Sequence, residues 1–564
     1  SATRVDASQL IEKGRENLAL QSNTFSSGSW YSGGLTETSG QSGYDGSLNA
    51  WLIEAVATGT KFLEQNISSG VNTLSIYAKA GTTDWIMLND GGGSSAYFDI
   101  ANGVLGSNSG ADYIDHSIES ISSGWYRCSL TSVNIGQARI YLAAADGNLS
   151  NSIGNNILIQ DAQLEQGLVA TPYIETGATT AQAGILENTP RFDYSGGATC
   201  PSLLLEPSRT NLLENSENFQ TWSANAYDAR IPNATTSPEG ENNSFLIETS
   251  STNRGIYRIS STTINVGDVL TTSVFLKIKS GSTSSIVSLG NGANAFSGGV
   301  ASRFDLSNGS INYANPLQDS VRIEDYGNGW YRCIITDTAV ANGAFAVTIY
   351  GYMSGASVDC DWYIYGAQSE IGSYPTSYIP TYGVSQTRAQ DVCNDAGDAA
   401  TFNSTEGVLY FEGSALSNDL TQRAISLSDG SNTNRVCLLY NDSSNSIRLF
   451  IQVGGSTQSS IISTSYTITD SNKIAVKWKE NDFSLWINGV EVGTDNSGVS
   501  FTSNTLNTLD FGFPNDTTFF YGKTKELIVF PTALSDLDLA ILTGATTYNT
   551  FAEMALALNY TVYE

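Results

Sequence analysis

Charged side chains are scarce in this sequence, and positive charge is the scarcer sign. Only 14% of the residues are charged, against roughly 25% in a typical soluble domain. The 26 basic residues face 55 acidic ones, so the formal charge is −29. This excludes a nucleic-acid partner, because phosphate binding needs clustered Lys and Arg, and it disfavours adsorption to anionic lipid. Ser, Thr, Asn and Gly must supply the solubility, a balance typical of extended all-β proteins on extracellular or virion surfaces.

The residues of common catalytic and zinc-binding motifs are also nearly absent. A single histidine, His116, would have to serve any Ser-His-Asp or Cys-His arrangement, and neither a GxSxG nor an HExxH motif occurs. We interpret His116, which has acidic neighbours, as a surface residue. None of the six cysteines forms a CxxC pair, which argues against zinc. We expect free thiols that pack as small apolar side chains.

Long apolar segments are missing as well. No run of about 18 apolar residues, the length that crosses a bilayer as a helix, occurs, and we find no signal peptide. We therefore expect no membrane insertion. Hydrophobic residues still make up 40% of the chain and aromatic residues 10%, which is enough for several cores. At roughly 150 residues per domain, the 564 residues correspond to about three or four domains.

One pentapeptide, Gly-Trp-Tyr-Arg-Cys, occurs twice, at 124–128 and at 329–333. The resemblance between the two regions extends further. Each closes on Ala-Gln-x-Glu-x-Gly followed by Thr-x-Tyr-Ile-x-Thr, at 162–176 and 367–381. Equivalent positions lie roughly 200 residues apart, whereas solenoid repeats run about 20–50 residues. A whole domain has therefore been duplicated.

The repeated pentapeptide is interpreted as a structural signature of that domain. Alternation along a β-strand should send its Trp and Arg to one face and its Gly, Tyr and Cys to the other. We predict that Arg127 and Arg332 lie along the neighbouring Trp rings and pair with a carboxylate at the edge of the sandwich. The predicted core residues of the repeat are Trp125, Tyr126, Cys128, Trp330, Tyr331 and Cys333.

Apolar and polar residues alternate with period two in many short segments, such as TLSIYAK and RIYLAAA. Turns rich in Gly, Asn and Ser separate these segments, a pattern typical of a β-sandwich. Near the C-terminus, Asn488-Gly489 predicts a two-residue hairpin turn, and Ser535 predicts the start of a helix. The sequence therefore predicts an all-β protein of three tandem β-sandwich (jelly-roll) domains with short helices at the C-terminus.

The predicted domain boundaries follow the repeat and the turn-rich segments. Leu203–Leu205, in the segment between the two copies, would be costly to leave exposed, so we expect this segment to pack against a neighbouring domain or chain. The predicted regions are a leading segment (1–16), a first sandwich (17–180), an extended linker (181–210), a second sandwich (211–382), a linker (383–404), a third sandwich (405–545) and a C-terminal helical tail (546–564).

The third region resembles a known family. KWKENDFSLWINGVEV, followed by GKTKELIVFPTALSDLDLAIL, resembles the laminin-G/concanavalin A-like sandwiches, in which a strand pair with an Asn-Gly turn precedes a final strand and a Leu-Ser-Asp helix. The resemblance covers residues 400–545. It implies a jelly-roll sandwich, and it does not assign a function, because this fold carries both binding and enzymatic activities.

Two further segments resemble structural proteins of tailed bacteriophages. These are 1–20, which opens SATRV, and 190–219, which contains PSLLLEPSRTNL. In tail-fibre-type proteins such segments precede sandwiches like those of carbohydrate-binding modules. The chain departs from that pattern at 9–12, where Gln-Leu-Ile-Glu stands for Gly-Leu-Ile-Glu. The resemblance implies a fibre or adhesin at the virion surface, outside the cell, that forms a homo-oligomer, most often a trimer, and contacts other virion proteins.

Glycan binding for host attachment is the activity that we expect of such a protein. Aromatic rings can stack on the apolar faces of sugars, while Asn, Asp and Gln bind the hydroxyl groups. Packing or a subunit interface is the alternative role for each ring. The candidate rings, which lie near turns rich in Ser, Gly and Thr, are Trp30, Trp51, Trp85 and Trp222.

Other functions stay open at the level of sequence. Loops containing Asp90, Asp429 and Asp442 carry oxygen ligands suited to a structural calcium ion, although ordinary turns explain each loop as well; no other cofactor is expected. A purely structural decoration or fibre protein without a ligand is the first alternative function. The second is a polysaccharide depolymerase, because paired carboxylates can support glycoside hydrolysis.

Overall fold

A computed structural model describes residues 3–225, 227, 229–249, 254–296, 300–352, 360–514, 518–544, 553 and 555–556. The chain divides into two compact units, residues 1–189 with 210–388 and residues 190–209 with 389–564. Regular structure in the described residues is almost entirely β-strand, which confirms the predicted all-β class. No helix in the described part of the chain has the length and apolar character needed to cross a membrane.

The first sandwich is built around two long strands that pair along nearly their whole length, one of 20 and one of 19 residues. Their register is interrupted between Ser132 and Gln137. A leading hairpin, β1 (Thr3–Val5) and β2 (Ile11–Lys13), precedes it. The strands of this part of the chain are β3 (Arg15–Asn17), β4 (Tyr31–Ser32), β5 (Leu35–Gln41), β6 (Ala50–Ala55), β7 (Lys61–Ala80), β8 (Trp85–Asn89), β9 (Ser95–Asp99), β10 (Val104–Ser109), β11 (Tyr113–Ser122), β12 (Trp125–Ala143), β13 (Asn156–Gln166) and β14 (Ala181–Ala183).

The second sandwich splits the same plan into two six-stranded sheets, β18-β21-β28-β23-β24-β25 and β19-β20-β29-β22-β27-β26. A short 3-10 helix, Phe219–Thr221, precedes them. The strands are β17 (Arg209–Asn211), β18 (Ser223–Asn225), β19 (Ala229–Thr235), β20 (Ser244–Glu248), β21 (Gly255–Ile264), β22 (Val269–Ile278), β23 (Ile286–Gly292), β24 (Ser302–Asp305), β25 (Ser310–Tyr313), β26 (Ser320–Asp325), β27 (Tyr331–Thr338), β28 (Gly343–Tyr352), β29 (Trp362–Ile371) and β30 (Gln386–Arg388).

The motif that closes each copy forms one hydrogen-bond network, present twice. In the first sandwich, Gln163 Nε2 donates to Glu165 Oε1 at 2.7 Å, the same oxygen accepts the Thr171 N–H at 2.8 Å, and Gln163 Oε1 accepts the Ile174 N–H at 2.7 Å. Buried polar groups need such partners, which explains the spacing of Gln, Glu, Thr and Ile. The second copy repeats the network with Gln368, Glu370, Thr376 and Ile379.

The leading hairpin belongs to the second sandwich by its contacts. Thr3 Oγ1 donates to the Tyr378 carbonyl at 2.5 Å, and the Ile11 N–H donates to the Pro238 carbonyl at 2.8 Å. Ile11 is buried in a cluster with aromatic residues of that sandwich. The segment predicted as a leader at 1–16 is thus packed against a domain more than 200 residues away in sequence.

The second unit is the third sandwich, with sheets β15-β16-β40-β31-β36-β37-β38 and β35-β34-β33-β32-β39. The helix α1 (Asp536–Thr543) begins after Ser535, as predicted, and the predicted helical tail at 546–564 lies almost wholly outside the described residues. The strands are β15 (Phe192–Asp193), β16 (Ser202–Leu205), β31 (Glu406–Ala415), β32 (Arg423–Ser428), β33 (Arg435–Tyr440), β34 (Ile447–Val453), β35 (Ser456–Ser463), β36 (Asn472–Lys479), β37 (Phe483–Ile487), β38 (Val490–Asp495), β39 (Thr508–Asp510) and β40 (Gly522–Phe530).

Residues 190–209, predicted as part of an extended linker, contribute structure to this unit. Their strand β16 pairs with β40, Leu203 opposite Thr524, and Leu205 is buried in the core. The apolar segment thus packs into the third sandwich, in line with the expectation that Leu203–Leu205 would be covered by a neighbouring domain. The predicted hairpin turn is present, with Asn488 and Gly489 at φ values of 50° and 83°, both in the left-handed region that such a turn requires.

A buried carboxyl group of the second sandwich makes its stability depend on pH. Burial raises the pKa of Asp337 to about 6, although Asn291 donates to this carboxyl group at 2.7 Å. The protonated carboxyl therefore stabilises the fold at low pH, and this contribution is lost as the pH rises through 6.

We predict that Asp337→Asn stabilises the protein more at pH 8 than at pH 5, by about 1 kcal/mol, because Asn keeps an acceptor for Asn291 and carries no charge. Urea unfolding followed by circular dichroism at both pH values measures the difference. Asp84→Asn, at an exposed position, is the control. An equal effect of Asp337→Asn at the two pH values would contradict the assignment.

Candidate functional site

The two Gly-Trp-Tyr-Arg-Cys motifs stand at the start of matching strands, β12 and β27. In the first copy, Tyr126 and Cys128 pack against the main core of the sandwich, whereas Trp125 lies on the opposite face of the sheet in a separate cluster with Tyr77. Trp125 is buried in this second hydrophobic cluster, with 2% of its surface exposed. The second copy repeats this division with Tyr331, Cys333 and Trp330.

The arginine of each motif is buried on the same face as the tryptophan. Arg127 lies with its guanidinium carbon 5.2 Å from the Tyr77 ring centroid and donates to Ser75 Oγ at 3.0 Å. Arg332 lies 5.4 Å from the Phe275 ring centroid. The ring beneath each arginine is therefore that of an adjacent strand and not the Trp of the motif, and the hydrogen-bond partner of Arg127 is a hydroxyl group where a carboxylate was predicted.

Loops cover the face that carries these residues. In the first sandwich, Tyr44 stacks on Tyr77 with 4.0 Å between ring centroids, and its hydroxyl donates to Asp161 Oδ2 at 2.8 Å. In the second, Trp330 Nε1 donates to the Thr236 carbonyl at 3.0 Å. Neither tryptophan presents its ring to solvent, so this part of the sheet is a covered, structural surface.

Three of the four tryptophans proposed to bind glycan are held by packing. Trp30 and Trp222 are buried, with 4% and 2% of their surfaces exposed, because they fill the cores of the first and second sandwich. Trp51 is partly buried, donates from Nε1 to the Asn23 carbonyl at 3.0 Å and meets Phe25 edge-on at 6.1 Å. Their position near polar turns reflects loop-to-core packing and does not make the rings accessible.

The fourth, Trp85, is partly exposed on the outer face of the first sandwich, together with other aromatic residues. Across strands β7, β12, β8 and β9, the side chains of Phe62, Tyr141, Met87 and Tyr97 form one row, because these residues pair directly with one another. Two pairs of rings on this surface are in contact. The ring centroids are 5.9 Å apart for Tyr31 and Phe62 and 5.0 Å apart for Phe62 and Tyr141. We call this surface the aromatic platform and define it as Tyr31, Phe62, Trp85, Tyr97 and Tyr141.

The platform is accessible at its two ends. Tyr31 has 63% of its surface exposed, and the Trp85 and Tyr97 side chains are half-buried. A Cβ atom at Gly106 would lie 2.6 Å from Trp85 Cζ3 and 2.8 Å from Tyr97 Cβ, so glycine on strand β10 leaves the space that the Trp85 ring occupies. Only the strand register brings the other members together with Trp85, and sequence reasoning therefore missed Tyr31, Phe62, Tyr97 and Tyr141.

Polar groups line the edge of the platform. Arg139 forms an ion pair with Glu64 beside Phe62, and its guanidinium carbon lies 5.9 Å from the Phe62 ring centroid. At the other end, Asp146 Oδ1 accepts from the Ser107 N–H at 2.9 Å. Burial, together with the negative charge of Asp146, raises the pKa of Tyr97. Aromatic faces bordered by charged and hydroxyl groups suit a flat, hydroxylated ligand.

The second sandwich carries a related but altered surface. Tyr350 occupies the place of Tyr141, and the paired strands put Arg303 on the same face, opposite Tyr313. The Arg303 guanidinium carbon lies 3.6 Å from the Tyr352 ring centroid and 5.2 Å from that of Tyr313. We call Arg303, Tyr313, Tyr350 and Tyr352 the second platform. The two copies thus share an aromatic outer face, but Arg303 in the second copy stands where Tyr97 stands in the first.

The aspartates considered for calcium serve the turns in which they lie. Asp90 is buried, accepts three backbone N–H groups at 2.7–2.9 Å and accepts from Ser132 Oγ at 2.9 Å. Asp429 caps its own turn, and Asp442 pairs with Arg448 at 2.5 Å. Over the described ranges, no group of three or more His, Cys, Asp or Glu side chains is arranged to hold a metal ion.

His116 is half-buried and bonded to a neighbour, not a free surface residue. Its Nδ1 lies 2.6 Å from the Tyr113 hydroxyl group. Burial lowers the pKa of His116, against the opposing charge of Asp115. The six cysteines are free thiols, as expected, and four of them are buried: Cys128, Cys333, Cys360 and Cys437.

Comparison with known families identifies one region. Residues 414–540 match the family model of the Concanavalin A-like lectin/glucanases superfamily. This range falls within the third sandwich and confirms the resemblance stated for that part of the sequence. No curated protein matches the sequence.

Several solved structures are similar to parts of the chain at low identity. A sialidase CBM40 from Ruminococcus gnavus is 17% identical with a TM-score of 0.23, over 28% of this chain and 97% of that one. The CBM22-1-CBM22-2 tandem domain from Paenibacillus barcinonensis Xyn10C is 10% identical with a TM-score of 0.21, over 66% and 99%. Domains LG4-5 of the mouse laminin alpha1 chain are 10% identical with a TM-score of 0.19, over 56% and 93%. Identities and TM-scores this low assign no role to the residues of the candidate site.

The covered tryptophans should be essential for folding. We predict that Trp125→Ala, and separately Trp330→Ala, lowers the free energy of unfolding by about 3–5 kcal/mol, the usual cost of emptying a buried tryptophan site. Urea unfolding monitored by circular dichroism measures this loss. Leu105→Ala, at an exposed position of strand β10, is the control. A stable Trp125→Ala protein that had lost only ligand binding would show that the covered face is instead a binding site.

Proposed function

We propose that this chain is a non-enzymatic adhesin of a tailed-phage virion surface, which binds cell-surface glycans through the open outer face of its first sandwich. The aromatic platform is the observation that carries the proposal. Five aromatic side chains share one face of the sheet. Tyr31 at one end is 63% exposed, and Trp85 and Tyr97 at the other end are partly exposed. Aromatic surface that is exposed to water is costly unless a partner covers it, so a group of partly exposed rings usually marks an interaction site.

The chemistry of the platform fits a sugar. The apolar C–H face of a pyranose can lie on the Trp85 or Tyr97 ring, and the hydroxyl groups of the same sugar can reach Asp146. At the opposite end, the ion pair of Arg139 and Glu64 offers both donors and acceptors. A few polar groups around an apolar surface set orientation and specificity in small-ligand sites.

The carboxylates at the platform favour binding over hydrolysis. A glycosidase needs one carboxyl group that can give a proton and a second that can act as base or nucleophile. Glu64 forms an ion pair with Arg139 and also accepts from Gln137 Nε2 at 3.2 Å. Asp146 is tied to Ser107. The carboxylates of Glu64 and Asp146 are therefore both already engaged as hydrogen-bond acceptors.

The repeated architecture suits weak sites that act together. Each chain presents the aromatic platform and the second platform, and the third sandwich matches a superfamily named for lectins and glucanases. Linked sites raise the effective affinity far above that of each one, and a homotrimer with other virion proteins around it would multiply the effect. The segments that resemble phage fibre proteins support this role in host attachment.

A glycan array followed by titration of the best binder tests the proposal. We predict that the full chain binds at least one oligosaccharide and that Trp85→Ala lowers its affinity about 5- to 30-fold, because a central aromatic contact is worth about 1–2 kcal/mol. Phe192→Ala, which removes an exposed ring in the other unit, is the control and should change nothing.

Three results would contradict the proposal. An array on which no glycan binds would leave a purely structural protein. Glycan binding that survives Trp85→Ala and Tyr97→Ala together would place the site away from the platform. Release of reducing ends from a host polysaccharide would show a depolymerase and refute the non-enzymatic role.

A further inference from the structure

A cavity of about 530 Å³ lies within the first unit, between its two sandwiches. The leading hairpin and strand β3 contribute Lys13 and Arg15, the end of the first sandwich contributes Glu165, and the second sandwich contributes Glu239 and Tyr382. No residue of the aromatic platform or of the second platform lines it. The cavity is therefore separate from the surface to which we assign glycan attachment.

A buried charge cluster forms one wall of the cavity. Lys13 Nζ lies 2.9 Å from Glu239 Oε2 and 3.2 Å from Glu217 Oε1, and it donates to the Tyr382 hydroxyl at 3.0 Å. All three charged side chains are almost fully buried. Burial alone would lower the pKa of Lys13, but the two carboxylates raise it well above its usual value. Lys13 is thus a fixed cation that keeps Glu239 ionised.

Two acceptor atoms in this wall have no hydrogen-bond partner. Glu239 Oε1 is one, since the nearest Arg15 nitrogen is 3.9 Å away, and Asn243 Oδ1 is the other. The two residues are 5% and 2% exposed. Asn243 Nδ2 donates to Glu239 Oε2 at 2.9 Å, and a carboxylate can only accept, so the amide nitrogen must face it and Oδ1 must point away. Buried acceptors left unpaired are rare in proteins and point to a missing donor.

The charges of the side chains that line the cavity limit which class of ligand can supply the missing hydrogen-bond donor. Lys13 and Arg15 are outnumbered by the carboxylates of Glu16, Glu165, Glu187 and Glu239, so an anionic ligand would be repelled. A metal ion is not indicated, since the described residues contain no metal-binding group of side chains. Hydroxyl groups can donate to Glu239 and Asn243 and accept from Arg15. Leu18, Leu168 and Ile185 add apolar surface.

We propose that this cavity binds one neutral sugar unit, whose hydroxyl groups donate to Glu239 Oε1 and Asn243 Oδ1. Its volume lies within the range of about 300–1,000 Å³ that is usual for small-ligand sites. The site does not depend on the aromatic platform. It would instead join the two sandwiches through a ligand held between them, so that binding also stabilises their association.

Calorimetric titration of the full chain with the methyl glycosides of glucose, galactose, mannose and N-acetylglucosamine tests the proposal. At least one should bind, and Glu239→Gln should weaken it about tenfold or more, because the charged acceptor is lost. Val384→Trp gives a second test that leaves the charge cluster intact. Val384 lines the cavity with 67% of its surface exposed, so a bulky ring there should block access and weaken binding by a similar factor.

Matched controls separate this site from the platform. Val266→Trp makes the same substitution at a residue that is 61% exposed and does not line the cavity, and it should leave binding unchanged. Each titration is repeated in the Trp85→Ala background, which removes the contribution of the platform, so that the remaining signal reports the cavity. The proposal is overturned if none of the four glycosides binds, if Val384→Trp binds as the unmodified chain does, or if methyl glucuronide, which is anionic, binds more tightly than the neutral sugars.

Discussion

Each strand of the two repeated sandwiches sends alternate side chains to opposite faces of its sheet, and one of those faces must be buried. In strand β12, Cys128, Leu130 and Ile140 point into the core, so Trp125, Arg127 and Tyr141 must point outward. The outer face then has two possible fates, cover by another part of the chain or use as a surface. The first applies to Trp125 and Arg127 on this strand, and we propose the second for the aromatic platform to which Tyr141 belongs.

The covered half explains why the pentapeptide is repeated. Trp125 and Arg127 sit beneath a loop in the first sandwich, where Tyr44 closes over Tyr77. In the second sandwich the leading hairpin also packs on this face, with Ile11 in the same cluster as Trp330. An outward tryptophan beside an arginine is stable only when the guanidinium finds an acceptor and a ring. The half around Trp85 and Tyr97 is only partly covered, and it is the surface that we propose binds glycan.

Much of the fold was predictable from the sequence, because its evidence is local. Period-two alternation, the turn Asn488-Gly489 and the helix cap Ser535 are decided within a few residues. The accessibility of a given tryptophan, in contrast, is not decided within a few residues of sequence. Trp30 and Trp85 lie in similar polar surroundings, yet Trp30 fills a core and Trp85 an outer face. Only the register of strands far apart in sequence makes that difference.

Long-range pairings were beyond the sequence for the same reason. Lys13 meets Glu217, 204 residues away, and Leu203 pairs with Thr524 across two domains' length of chain. The apolar triplet Leu203–Leu205 shows that burial is needed but does not identify the partner, and the sequence around Lys13 gives no sign that this lysine is buried. The cavity beside Glu239 follows from such a pairing and left no local signal.

Fluorine NMR of the chain labelled with 5-fluorotryptophan tests most directly the claim that the outer face is divided into a structural and a binding half. The nine tryptophans give separate resonances that single substitutions can assign. During titration with a bound glycan, the Trp85 resonance should shift while those of Trp125 and Trp330 stay in place. A shift confined to Trp125 or Trp330 would contradict the account and assign binding to the repeated motif.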